Sequence, residues 1–350
     1  MTLSLVTGGN GYFGRVLVQR LADRGDTVRL LDVDVARADE LGVEVLGGDI
    51  RDARAVRRAV TGVDVVYHNV AQVPLARDRG LLRSVNVDGT QVLLDACVAA
   101  GVGKVIHTSS SAVFGVPESN PVLPTTIPKP DEPYGEAKLA GEWACLRAAT
   151  GPANLDVTIV RPRTVLGHGR LGIFAILFDW IADGSDPIVL GDGTNRYQFV
   201  HADDLASACL LAAEHPGAAV FNVGTDRFGT MVDALRNLCA HADTGADVRS
   251  LPTRPAEWAM RISATAGLTP FAQYHWLMYG RSMWFDLDHV RDALGWSPKW
   301  SNDEMLADSY DWFCANREKL DAGSSIHRRP ARAGALSLLK RVSRLLPLAG

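Results

Sequence analysis

Residues Leu3–Gly14, LSLVTGGNGYFG, run a short apolar strand straight into glycines at 8, 11 and 14, and no other stretch restricts the fold as much. Gly8 permits a tight turn, Gly11 lets the backbone approach a pyrophosphate, and Gly14 lets the next helix pack closely on the strand, its N-terminal N–H groups facing the anion. A second apolar strand, Thr27–Asp32, ends in a carboxylate at the spacing that binds a ribose. Asp32 would accept both ribose hydroxyls and repel a 2′-phosphate, which favours NAD over NADP.

Strand and helix patterns then alternate. Val43–Leu46, Val63–Tyr67, Lys104–Thr108 and Asp156–Val160 read as further strands, separated by helical periodicity up to Val60, over Leu82–Ala100 and over Tyr134–Ala149. Such alternation predicts an α/β fold: a Rossmann-type doubly wound parallel sheet, ligands at its carboxyl edge, with a smaller C-terminal substrate-binding domain. We expect the NAD-binding domain over 1–165, with 188–222 contributing. The substrate-binding region is expected over 166–187 and 223–318, and a tail over 319–350. The segment Pro117–Pro133, rich in proline, reads as a loop.

Composition fits a soluble enzyme, with 47% hydrophobic and 22% charged residues in 350. No run of 18 apolar residues and no basic leader region is present, so a cytoplasmic location is expected. Cys97, Cys145, Cys209, Cys239 and Cys314 lack any C-x-x-C spacing and read mostly as buried thiols, and no metal site is expected. Residues 322–350 carry Arg328, Arg329, Arg332, Lys340, Arg341 and Arg344 without an acid, although the whole chain is at −4. Apolar residues recur there at helical spacing. A basic amphipathic helix over 328–348 would suit an anionic membrane surface, the protein body or a second subunit. The acidic body makes specific nucleic-acid binding unexpected.

The chemistry flanks the proline-rich loop. The strand Lys104–Thr108 leads into Ser109-Ser110-Ser111, and the loop leads into Tyr134-Gly135-Glu136-Ala137-Lys138. Tyr134 and Lys138, four apart, share a helix face, and a nearby ammonium favours the phenolate. A serine hydroxyl can then hold a substrate oxygen while the phenolate takes its proton and a carbon-bound hydride leaves to nicotinamide.

With these motifs in order, the chain resembles the extended short-chain dehydrogenase/reductases of the NAD-dependent epimerase/dehydratase family over residues 3–315. The resemblance rests on TGGNGYFG, Asp32, GDIRD, HNVAQ, SVNVDGT, SSSAVFG, YGEAK and RPRTVLGHG. It implies that Tyr12 and Phe13 meet the pyrophosphate, Asp49 and Ile50 the adenine, that Val70 and Ala71 lie along the cofactor, and that Asn86 supports the site. It further implies Ser110 as the serine on the substrate oxygen, Tyr134 as the base, and Lys138 as the residue that binds the nicotinamide ribose and tunes Tyr134. Homodimers through the helices at 82–100 and 134–149 are common in the family.

Departures narrow the reaction. Dehydratases of the family carry Asp-Glu after the catalytic threonine, and this chain has Ser111 and Ala112. Epimerisation or a single hydride transfer remains. On the substrate side, Tyr197 stands where nucleotide-sugar enzymes place an arginine, Arg196 comes one residue early, Arg281 lies near a second such position, and Thr164 replaces a common asparagine. Ser111, Thr164, Arg196 and Arg281 are the substrate candidates. The leading expectation is an NAD-dependent epimerase of a nucleotide-linked sugar. A 3β-hydroxysteroid dehydrogenase-like or keto-lipid oxidoreductase stays open, with an apolar lid from Phe174, Phe178, Trp180, Trp258, Phe271, Trp276 and Trp284. So does a noncatalytic NAD-binding scaffold.

Overall fold

The computed structural model describes residues 1–36, 38–73, 78–265 and 278–319. The expected basic helix at 328–348, with Phe271 and Trp276, lies outside the described residues. The described residues form two compact units, the first within 1–165, 200–224 and 285–299, the second of the other described residues.

The first unit holds a seven-stranded sheet: β1 Leu3–Thr7, β2 Thr27–Asp32, β3 Glu44–Gly47, β4 Val65–His68, β5 Lys104–Thr108, β6 Val157–Pro162 and β7 Ala219–Val223. All pair in parallel, in the order β7-β6-β5-β4-β1-β2-β3. The order reverses between β1 and β4, where a doubly wound sheet opens a crevice at its carboxyl edge. The helices are α1 Tyr12–Arg24, α2 Ala53–Val60, α3 Arg79–Arg83, α4 Gly89–Ala100, α5 Pro133–Thr150, α6 Ala202–Glu214 and α7 Asp288–Leu294. Leu5, Leu31, Val66, Val105, Val157 and Ile159 face one side of the sheet and form a core with Val56, Leu93, Leu94, Ala144 and Cys145 of α2, α4 and α5. On the other side α1 packs with α6.

Local sequence explains where these helices begin. Asp52 caps α2 by accepting from the Arg54 N–H, and Glu132 caps α5 ahead of a proline at its first position. The helix expected over 82–100 is interrupted: α3 gives way to a π-helical turn, Ser84–Asp88, before α4. Asn86 sits in that turn and its amide is spent on Gln72, accepting from the Gln72 N–H at 2.7 Å and donating to its carbonyl at 2.9 Å. Periodicity alone does not reveal a wide turn of this kind.

The second unit is built on the helices Phe174–Ala182, Met231–Ala242 and Asn302–Asn316, with Phe178 against Phe174, Tyr310 and Phe313 at the centre. Two expectations change here. Ile188–Leu190 pairs with Arg249–Leu251 inside this unit, so of the stretch 188–222 residues 188–199 fall here, while 200–222 lie in the first unit as expected. Residues 285–299, expected with the substrate-binding region, cluster with the first unit, where Phe285 bridges Val122 of the proline-rich loop. Of the aromatics expected in an apolar lid, Phe178 and Trp180 are buried core and Phe174 packs against it, while Trp258 is exposed.

Candidate active site

The turn after β1 has the geometry its glycines predict. Gly8 adopts φ +69, and its N–H donates to the Leu31 carbonyl at 2.8 Å. A Cβ at Gly14 would stand 2.1 Å from the Gly8 carbonyl oxygen, so only glycine lets α1 start this close to the strand. Gly11 precedes α1 with no side-chain cap and no acid in the first turn. The positive end of α1, at Tyr12 and Phe13, therefore opens at this turn, where a helix start favours an anion. The cradle fits a pyrophosphate.

Asp32 closes β2 beside it. Its carboxylate accepts from the Asn10 N–H at 3.0 Å and the Asp34 N–H at 3.1 Å, and burial raises its pKa despite those bonds. Asn10 in turn donates to the Asp34 and Ala36 carbonyls, tying the loop after β2 to the glycine turn. Asp49 is engaged by Arg51 at 2.6 Å, which holds its carboxyl below the usual range. The Ile50 side chain is core, packed over Gly89 at the start of α4. Val70 and Ala71 are half-buried after β4, with the Val70 backbone against Gly8.

The three serines after β5 have different surroundings. Ser109 is buried and donates to Glu142 Oε1 at 2.5 Å, while Ser111 is buried and accepts from Arg163 Nη1 at 2.8 Å. Ser110 is half-buried and starts a short 3-10 turn, Ser111–Phe114, with its Oγ accepting from the Ala112 N–H at 3.2 Å. Ser109 and Ser111 are thus buried on charged partners, while Ser110 between them is half-buried.

The start of α5 lies directly against this turn. A Cβ at Gly135 would stand 2.3 Å from the Ala112 carbonyl oxygen, so the glycine between Tyr134 and Glu136 is a docking requirement. Glu132 fixes the entry by accepting from the Tyr134 and Gly135 N–H groups at 2.8 and 2.6 Å. One turn beyond Tyr134, the buried Lys138 Nζ donates to the Thr108 carbonyl at 2.8 Å. Burial lowers the Lys138 ammonium to about 8, and Glu142, a further turn along, opposes that fall.

Beneath Lys138 lie two buried histidines, His68 and His107, with ring centroids 5.2 Å apart. Burial, reinforced by the Lys138 charge, pushes His68 down to about 3 and His107 well below its usual value, so both are neutral. The Thr90 hydroxyl donates its one proton to the Asn86 carbonyl, so His68 Nε2 must donate to Thr90 and His68 Nδ1 must accept from Thr7. Sequence reasoning missed these histidines, Glu142, Arg161, Arg163 and the role of Gly135. The one signal available was spacing, since Glu142 follows Tyr134 and Lys138 on the same helical face.

The remaining substrate candidates are less gathered. Thr164 is half-buried near the end of the first unit. In the second unit Arg281 pairs with Glu257 at 3.3 Å. Arg196 is exposed, its guanidinium carbon 4.8 Å from the Phe228 ring centroid and 4.7 Å from that of Trp284. Tyr197, the next residue, is buried against Phe199.

Residues 4–224 match the NAD dependent epimerase/dehydratase family, and the chain belongs to it. It is an enzyme of the extended short-chain dehydrogenase/reductase type, and its cofactor is NAD. An uncharacterized protein of Sinorhizobium fredii, y4nG, is 48% identical over 98% of this chain and 87% of its own length. The UDP-glucose 4-epimerase of Mycolicibacterium smegmatis is 30% identical over 89% of this chain and 98% of its own. A mouse sterol-4-alpha-carboxylate 3-dehydrogenase is 32% identical over 60% of this chain and 59% of its own. Among solved structures, the UDP-glucose 4-epimerase of Thermotoga maritima, crystallised with UDP-glucose, superposes with TM-score 0.76 at 25% identity, covering 91% of this chain and all of that one.

Proposed function

We propose that the protein epimerises a nucleotide-linked sugar by oxidising one hydroxyl to a transient ketone and reducing it from the other face. The observation that carries this reading is the arrangement at the end of β5: a half-buried Ser110 between two committed serines, against the helix start that bears Tyr134 and Lys138. The epimerase relatives, aligned along nearly their whole length, support the substrate class.

NAD supplies the hydride acceptor and then the donor. Ser110 Oγ holds the substrate oxygen, Tyr134 takes the hydroxyl proton and later returns it, and the Lys138 cation favours the phenolate form of Tyr134. The turn Ser109–Phe114 contains no acid, and Ala112 is buried at 3% exposure, so elimination of water lacks the extra acid and base it needs there. Arg196, within the second unit, is steadied by two aromatic faces, a setting that suits an anion.

The enzyme works as a homodimer in this reading. Trp143 is 55% exposed on α5, with Leu146 beside it and Val98 exposed on α4, an apolar face on the two helices expected to pair. Incubation with a panel of nucleotide sugars and trace NAD, followed by chromatography and mass spectrometry, tests the function. A new peak of unchanged mass is expected. Turnover of hydroxysteroids with accumulation of NADH, and of no sugar, would replace it with the lipid reading.

A further inference from the structure

The face of α5 that bears Tyr134 and Lys138 continues one turn deeper to Glu142, whose side chain is 1% exposed. Its carboxylate accepts Nε of Arg161 at 2.8 Å and Nη2 at 2.5 Å, and the Ser109 hydroxyl at 2.5 Å. Arg161 rises from β6, and its guanidinium carbon lies 5.0 Å from the Phe114 ring centroid, at the far end of the turn that Ser110 begins. One carboxylate thus joins the catalytic helix, the strand that leads to Ser110 and the neighbouring strand.

Stability does not account for it. A buried ion pair is often no better than an apolar pair of the same volume, because desolvating two charges offsets their attraction. This pair instead sits where a second buried cation, Lys138, has to keep its proton. The groups around Lys138 are the Thr108 carbonyl and the neutral His107 of β5, the neutral His68 of β4, and Cys145, Glu142 and, one turn back on the same face, Tyr134 of α5. Burial raises the Cys145 thiol pKa above the usual thiol range, so it stays protonated. Glu142 is the buried carboxylate in that set, and Arg161 and Ser109 hold it in place.

We infer that Glu142 is a positioning residue of the active site: locked by Arg161 and Ser109, it keeps Lys138 cationic and fixes the strand end that presents Ser110. The inference rests on the roles of Lys138 and Tyr134 proposed above. It adds a buried charge that acts through Lys138 without touching substrate.

NAD binding followed by calorimetry from pH 6 to 10 tests this without any sugar substrate. Wild-type affinity should fall above about pH 8, as Lys138 loses the proton with which it holds the ribose. In Glu142→Gln, which keeps the shape and can still meet Arg161, the midpoint should move down by at least one pH unit. The affinity at pH 6 should stay within threefold of wild type. The double variant E142Q/R161M buries no ion pair and should move in the same direction, so the test survives if the single variant misfolds. Midpoints equal to wild type in the folded variants would overturn the inference and leave the pair a structural one. A wild-type affinity flat across the whole range would instead overturn the role of Lys138 on which it rests. Neither outcome depends on which sugar is turned over.

Discussion

Lys138 Nζ donates to the Thr108 carbonyl at 2.8 Å, so the ammonium of α5 closes directly on the last residue of β5. This bond sets the distance between the helix that carries Tyr134 and the strand that delivers Ser110. It also places a cation in a buried, low-dielectric pocket, with consequences for stability and chemistry.

The stability consequence has a definite sign. Lys138 titrates at about 8 in the folded chain against 10.5 unfolded, so between those values the unfolded chain binds the extra proton and stability rises with pH. Below pH 8 the buried charge is a constant cost. Lys138→Met should therefore raise the stability of the cofactor-free protein at pH 7 by about 2–4 kcal/mol and remove the rise between pH 8 and 10, while abolishing turnover. Urea unfolding at several pH values checks it. A variant less stable than wild type at pH 7 would contradict the assignment.

The three serines separate function from packing. Ser110→Ala should lower kcat by about 100-fold with unchanged melting temperature, since the lost group acts on the substrate oxygen. Ser111→Ala should leave kcat within threefold and cost about 1–3 kcal/mol, because an Arg163 donor loses its acceptor. Paired kinetics and thermal melts distinguish the two.

Gly14→Ala should disable cofactor binding before anything else. The new methyl would meet the Gly8 carbonyl oxygen at 2.1 Å, so the start of α1 must shift and the pyrophosphate cradle opens. A drop in NAD affinity of at least tenfold is expected, with about 1–3 kcal/mol of lost stability. Calorimetric titration measures the first and urea unfolding the second.

In the proposed homodimer, Trp143→Glu should leave the active site intact and separate the subunits. The side chain is exposed on α5, beyond the faces that carry Lys138 and Glu142. Light scattering after size exclusion should give a mass near 75 kDa, twice the 37.7 kDa chain, for wild type and the single-chain mass for the variant. A monomeric wild type at micromolar concentration would reject the interface.

Much of this was legible in the sequence because it is encoded locally. The glycines at 8, 11 and 14, Asp32 at the end of β2, and the four-residue step from Tyr134 to Lys138 all express themselves within one strand, turn or helix. What the sequence hid depends on contacts between distant segments. Glu142 on a helix reads as a solvated residue until Arg161, 19 positions on, is found beside it. The resemblance singles out Ser110, but the partners that engage Ser109 and Ser111 appear only in the fold. The return of 285–299 to the first unit and the pairing of Ile188–Leu190 with Arg249–Leu251 are likewise long-range choices that short strands do not announce.

The most direct test of the central claim is turnover of a nucleotide sugar in deuterated water, with the product examined by proton NMR. If Tyr134 removes only the hydroxyl proton and the carbon-bound hydrogen leaves and returns as hydride, the epimer forms with ordinary hydrogen at the inverted carbon. Tyr134→Phe should then slow its formation by about 100- to 10,000-fold. Deuterium at that carbon would mean inversion by proton abstraction from carbon and would contradict the account, as would unimpaired epimerisation by the Tyr134→Phe enzyme.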